Sequence, residues 1–216
     1  MFDLILFDLD GTLTNPKDGI INSFLYMMKT VGASIPEGFN FDEYIGPPLR
    51  DTMRIILGDD SAEIEEAITI YRKHQAEQGL FQNYIYPGIA DLLYKLKRDG
   101  KILAVATSKM LKFAVEVLEH FGLLAYFDFI AGAEADGARS DKAEVIAHVL
   151  DTLDKERKMK IVMVGDRKYD IIGAKAHGIP CIGVLWGFGS NEELLGAGAD
   201  AVVKNMNELY NTIRRE

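Results

Sequence analysis

Apolar positions recur along this chain with two different periods, and the switch between them divides it. Leu4-Ile5-Leu6-Phe7 is an unbroken apolar run without Gly or Pro and predicts a short strand buried on both faces. Ile20, Ile21, Phe24, Leu25, Met28 and Val31 then fall at helical spacing and stop at Gly32, which predicts an amphipathic helix with a glycine end. A loop through Pro36, Gly38 and Asn40 leads to Tyr44-Ile45-Gly46-Pro47-Pro48-Leu49-Arg50. The proline pair cannot lie inside a helix but suits a helix start, and Leu49, Met53, Ile56 and Leu57 carry an apolar face to Gly58. Asp60 followed by Glu63 reads as a capping box that opens a third helix through Ile64, Ile68 and Tyr71 toward Gly79.

From Tyr86-Pro87-Gly88 onward strands and helices alternate. The expected helices are Ile89 to Lys97, Phe113 to Phe121, Ala143 to Leu153, about Asp170 to His177, and a terminal one through Leu209 and Ile213. The expected strands are Ile102–Ala106, Phe127–Ala131, Ile161–Val164, Ile182–Leu185 and Ala201–Val203. This alternation predicts an α/β fold with a doubly wound, Rossmann-like parallel sheet covered on both faces. Three helices with no convincing strand between them do not belong to such a sheet. The expected division is therefore an α/β core of residues 1–14 and 87–216 with a helical insert of residues 15–86.

A chain of 216 residues, 48% hydrophobic and 26% charged, is of ordinary globular composition. The formal net charge of −9 argues against a nucleic-acid polymer or an anionic membrane surface as partner, though not against a phosphate substrate. Cys181 is the only cysteine, so no intramolecular disulfide can form. The first strand begins at once, with no apolar leader before it and no run long enough to span a bilayer, so a cytoplasmic location is expected.

The chemistry centres on Asp8 and Asp10, two carboxylates directly after the first strand and before the turn at Gly11. In an open α/β sheet, ligands bind beyond the carboxyl ends of the strands. One Asp there can attack an electrophile such as phosphorus while the other moves a proton, and the pair can also hold a hard cation. For a bare D-x-D a polar strand end is the better reading. A calcium loop fails, because Leu13 stands where its glycine is required and Gly19 where its closing Glu belongs. Thr107-Ser108-Lys109 after an apolar strand offers hydroxyl and amide donors to a phosphate, or a helix N-cap. Lys142 opens a helix, where a cation is slightly costly unless an anion is near; a solvated lysine is the even alternative, with Arg139 as the fallback cation. Gly165-Asp166-Arg167-Lys168-Tyr169-Asp170 puts two acids after a strand, suited to magnesium or simply to a charged loop. His74, His120, His148 and His177 show no ligand spacing and read as structural or exposed, and Trp186 with Gly187 and Gly189 reads as a packed loop.

Phe7-Asp8-Leu9-Asp10-Gly11-Thr12 resembles the first motif of the haloacid dehalogenase superfamily, and the segments at Thr107, Lys142 and Asp166 resemble its second, third and fourth. The resemblance implies Asp8 as nucleophile and Asp10 as general acid/base. It implies phosphate binding by Thr107, Ser108 and Lys142. It places Mg2+ on Asp8, Asp166 and the backbone carbonyl of Asp10, supported by Asp170. The insert resembles the small cap of the subgroup containing phosphoglycolate phosphatases, some 5′-nucleotidases and β-phosphoglucomutase. The expected activity is hydrolysis of a small phosphate monoester, phosphoglycolate phosphatase-like, through an aspartyl phosphate. A 5′-nucleotidase or a phosphomutase is the alternative, and a non-catalytic scaffold ranks last. A dehalogenase would not call for Asp at position 10 or for the acidic fourth motif. Arg50, beside the proline pair, is a plausible reader of the substrate's second anionic group, with a solvated helix charge equally open.

Overall fold

The first strand, β1 (Leu4–Phe7), is buried along its whole length because it pairs on both edges and is covered on both faces. The computed structural model describes residues 2–35, 38–136 and 138–215, so Pro36 of the expected loop lies outside the described residues. After β1 come β2 (Thr14–Asn15), α1 (Lys17–Val31), α2 (Leu49–Leu57), α3 (Ser61–His74), β3 (Tyr84–Ile85), α4 (Ile89–Arg98) and β4 (Ile102–Met110). Then follow α5 (Leu111–His120), β5 (Phe129–Ala133), α6 (Lys142–Leu153), β6 (Ile161–Gly165) and α7 (Lys168–Lys175). The chain continues through β7 (Cys181–Val184), α8 (Asn191–Ala197), β8 (Ala201–Val203) and α9 (Met206–Arg215).

Six strands form one parallel sheet in the order β5-β4-β1-β6-β7-β8. The chain winds outward from β1 through β4 to β5, crosses back to β6, and winds outward the other way. That reversal, between β1 and β6, is the switch point of a doubly wound sheet, where loops diverge and leave a crevice beyond the strand ends. On one face Leu4, Leu6, Ala104, Ala106 and Met163 pack beneath Val145, Ile146, Val149 and Leu150 of α6, Ile171 and Ala174 of α7, and Leu194 of α8. Side chains alternate along a strand, so Ile5 and Phe7 turn to the opposite face.

The chain divides into two compact units, residues 1–15 with 85–216, and residues 16–84. In the second unit the proline pair ends at Pro48, the N-cap of α2, and Asp60 caps α3 by accepting from the N–H groups of Ala62 (2.8 Å) and Glu63 (3.2 Å). Its interior is built from Phe24, Met28, Met53, Ile64 and Tyr71, with the Phe24 and Tyr71 rings 4.9 Å apart. His74 is buried there, 2.9 Å from the Ser23 hydroxyl.

The end of β4 and the presence of α8 depart from the pattern-based expectation. β4 does not stop at Ala106 but continues through a register shift to pair Met110 with Ala133, so Thr107-Ser108-Lys109 lies in the strand's irregular end. Helix α8 was not expected, because only Leu194 of it is buried and one apolar contact leaves no period to read. Its signal is the Ser190 cap, which accepts from the Glu193 N–H at 3.1 Å.

Candidate active site

The carboxyl ends of β1 and β6 carry Asp8 and Asp166 side by side, because the two strands pair in register from Leu4–Ile161 to Phe7–Val164 and the Asp8 N–H then donates to the Val164 carbonyl (2.9 Å). Asp170 joins them from the first turn of α7, where its Oδ2 accepts the Arg167 N–H at 3.1 Å. One carboxylate oxygen from each of Asp8, Asp166 and Asp170 lies within 4.8 Å of the other two.

Lys142, the first residue of α6, reaches into this group. Asp141 caps the helix, accepting from the Ala143 N–H at 2.8 Å, so the following side chain is directed inward. The Lys142 ammonium is 2.8 Å from Asp8 Oδ1 and 2.8 Å from Asp170 Oδ1, and it donates to the Ala106 carbonyl at 3.0 Å. Room for the stem comes from Gly173 of α7, where a Cβ would stand 2.8 Å from Lys142 Cγ.

Three buried carboxylates against one ammonium leave surplus negative charge. Burial would lower the Lys142 pKa, but the carboxylates of Asp170 and Asp8 outweigh it and raise it. Asp166 is pushed well above the ordinary carboxylate range by burial, with Asp170 and Asp8 adding to it. Asp170 is pushed up to about 6 by burial, against the pull of Lys142. Such a group holds its protons or takes a cation. Hard oxygen donors gathered from separate elements, with negative charge to spare, fit a magnesium ion.

Asp10 is separate from this group. Its Oδ2 pairs with the Lys109 ammonium at 2.8 Å, and its Oδ1 is buried without a hydrogen-bond partner among the described residues. Thr107 is buried and its Oγ1 accepts the Lys109 N–H at 3.2 Å, a bond that uses a lone pair and not the hydroxyl proton. Ser108 is half-buried beside it.

The remaining residues singled out by sequence are engaged elsewhere. Arg139 pairs with Glu134, and Arg50, in the second unit, pairs with Glu65. His177 bonds the Ala143 carbonyl at 2.8 Å. Two contributors escaped sequence reasoning. In the sequence Lys109 is legible only as part of a phosphate-binding string. The Trp186–Gly189 loop is legible in the sequence only as packing, although the Phe188 N–H donates to Asp166 Oδ2 at 2.8 Å and the Trp186 indole N–H to the Thr12 carbonyl at 3.0 Å. A Trp between a strand and two glycines was the available signal.

Residues 5–184 match the family model of haloacid dehalogenase-like hydrolases. The chain is 44% identical over 186 residues to tyrosine-protein kinase PtkA of Mycobacterium tuberculosis, an alignment covering 86% of this chain and 63% of that protein. It therefore spans just under two thirds of the length of the first curated relatives it matches. It is 42% identical over 190 residues to a 5′-nucleotidase of Pseudomonas aeruginosa, covering 88% of this chain and 86% of the relative. Among solved structures, a predicted phosphatase from Clostridium acetobutylicum superposes with a TM-score of 0.93 at 39% identity, over 100% of both chains.

Proposed function

Because the chain belongs to the haloacid dehalogenase-like hydrolases, we propose that it is a magnesium-dependent phosphatase of small phosphate monoesters, working through an aspartyl phosphate on Asp8. The observation that carries this reading is the buried group of Asp8, Asp166 and Asp170 around Lys142, at the switch point of the sheet. Bound there, magnesium would supply charge neutralisation for the phosphoryl oxygens. Asp8, Asp166 and the Asp10 carbonyl would hold it, with Asp170 in support.

The chain's own residues divide the rest. A carboxylate oxygen of Asp8 bonds to phosphorus as the ester P–O bond breaks, and Asp10 gives to the departing oxygen a proton held on Oδ1, the oxygen not paired with Lys109. Asp10, now a carboxylate, takes a proton from water, whose oxygen bonds to phosphorus as the Asp8–phosphorus bond breaks. Inorganic phosphate leaves and both residues return to their starting state. Lys142 steadies Asp8 and the phosphoryl group. Thr107, its hydroxyl proton uncommitted to Lys109, and Ser108 bind phosphoryl oxygens.

Activity toward p-nitrophenyl phosphate should require magnesium and disappear in excess chelator; full activity in chelator would exclude the mechanism. Asp166→Asn removes one of the crowded carboxylates. The metal-free variant should therefore melt higher than the wild type, yet its melting temperature should no longer rise on adding magnesium. An undiminished magnesium response in the variant would remove Asp166 from the metal-holding set.

The inserted unit, residues 16–84, we assign to substrate selection, with nucleoside monophosphates and phosphoglycolate as the leading classes. The first is the substrate type named by the 42% identical nucleotidase. Arg50 and Glu65 are both largely exposed. A surface pair of that kind is worth about 0–1 kcal/mol, so a substrate anion can compete for the guanidinium. Arg50→Ala should reorder preferences across a panel of monoesters more than it changes p-nitrophenyl phosphate turnover, which offers no second anion. A uniform loss would make Arg50 structural.

A second reading, transfer to a tyrosine hydroxyl, is favoured by the name of the 44% identical relative. The acceptor separates the two. Stoichiometric inorganic phosphate from a preferred monoester supports hydrolysis, and phosphotyrosine formed from ATP without phosphate release would replace it.

A further inference from the structure

We infer that the loop Trp186–Gly189 is the positioning element for Asp166, and that Trp186 and Gly187 thereby set how tightly this chain holds a divalent cation. The inference rests on the metal-dependent reading above and adds to it residues that perform no chemistry themselves.

The argument is one of geometry. Asp166 is fully buried, and each of its oxygens is fixed by one donor: Oδ1 by the Thr12 hydroxyl at 3.2 Å and Oδ2 by the Phe188 N–H at 2.8 Å. A carboxylate oxygen has two lone-pair directions, so each is left with one for a cation. The two donors are themselves linked, because the Trp186 indole N–H donates to the carbonyl of Thr12 at 3.0 Å. Thr12, Trp186 and Phe188 thus close a ring of hydrogen bonds around Asp166 that joins the loop after β1 to the loop after β7.

The ring closes only because its backbone can approach the carboxylate. A methyl group on Gly187 would overlap the Asp166 side chain and the Gly11 carbonyl, and one on Gly189 would overlap the Asp166 carbonyl. Gly11 meets the same carboxylate, at a φ of +89° that a side-chain-bearing residue rarely adopts. Asp166 is thus packed closely against glycine backbone from both loops.

Residues that orient a metal-holding carboxylate typically change metal affinity or activity by about 10–100-fold when replaced. Trp186→Phe keeps an aromatic side chain but loses the indole N–H and some bulk, and should raise the magnesium concentration for half-saturation by about 10-fold. Gly187→Ala should raise it further. Turnover by Trp186→Phe should recover at high magnesium, because the chemistry at Asp8 is untouched.

Trp186 is the only tryptophan in the chain, which provides a reading independent of turnover. Magnesium titrated into the intact wild-type protein should change the intrinsic fluorescence, saturating over the same range as activity, and Asp166→Asn should abolish the change. For Trp186→Phe, the magnesium-induced rise in melting temperature should need correspondingly more metal. If wild-type protein melts higher with magnesium but Trp186→Phe and Gly187→Ala reach half-saturation where it does, the loop is packing only and the inference is overturned while the metal-dependent reading stands. If wild-type protein shows neither a melting shift nor metal-dependent turnover, both are overturned.

Discussion

Asp8→Asn is expected to lower turnover by at least roughly 10³-fold, the scale on which removing an enzyme nucleophile acts. An amide has nearly the shape of the carboxylate but cannot attack phosphorus, so no phosphoryl-enzyme forms and Asp10 has nothing to assist. The fold should not suffer. Asp8 sits in a group with surplus negative charge, and its replacement leaves Lys142 still balanced by Asp170 at 2.8 Å. Circular dichroism and thermal melting should therefore match or exceed the wild type while phosphate release stops. Appreciable turnover in protein free of contaminating phosphatase would move the nucleophile away from Asp8.

Lys142→Met should have the largest effect on stability. The side chain is about as long and as apolar as the lysine stem, so packing against Gly173 survives and what is lost is charge. Lys142 is buried with Asp8 and Asp170. Removing one partner of a buried pair costs about 3–5 kcal/mol, a fall in Tm of roughly 10 °C for a chain of this size. The deficit should depend on pH with a definite sign. A carboxyl whose pKa is raised on folding costs stability above its unfolded value and nothing where it is protonated in both states. Asp170, already pushed up to about 6 from an ordinary 3.8, rises further without Lys142, so the deficit shrinks as pH is lowered. A variant that melts with the wild type at neutral pH would show that the ammonium is not part of a desolvated pair. Turnover should be lost at every pH.

How far the sequence discloses this protein depends on whether a feature is local. The apolar run of β1 is legible because both of its faces are buried, and α2 and α3 because Pro48 and Asp60 mark their starts. The acids are legible as acids at strand ends. Their convergence is a product of strand order, since Asp8 and Asp166 become neighbours only because β6 pairs with β1. Lys109 and Asp10 meet across β4 and the loop after β1, and no short-range pattern links them. Trp186 and the glycines beside it have too many ordinary uses for their spacing to single them out. Their task becomes visible only once the loop lies against Asp166.

The central place of β1 also governs the order in which the site can form. Both neighbours of β1 come much later in the chain: β4 begins at Ile102 and β6 at Ile161, and the loop that fixes Asp166 follows later still. Parallel pairing requires the whole intervening crossover, so the closure entropy is spent before the strand gains a partner. As the polypeptide emerges from the ribosome, β1 is made before either of its neighbours and at first has no strand to pair with, and the edge facing β6 stays bare until residue 165 is out. An unfinished chain that ends within α6 therefore carries Asp8 and an exposed apolar strand but neither Asp166 nor Asp170. It would be inactive and prone to aggregate, and the capacity to bind metal should arise only once α7 has been made.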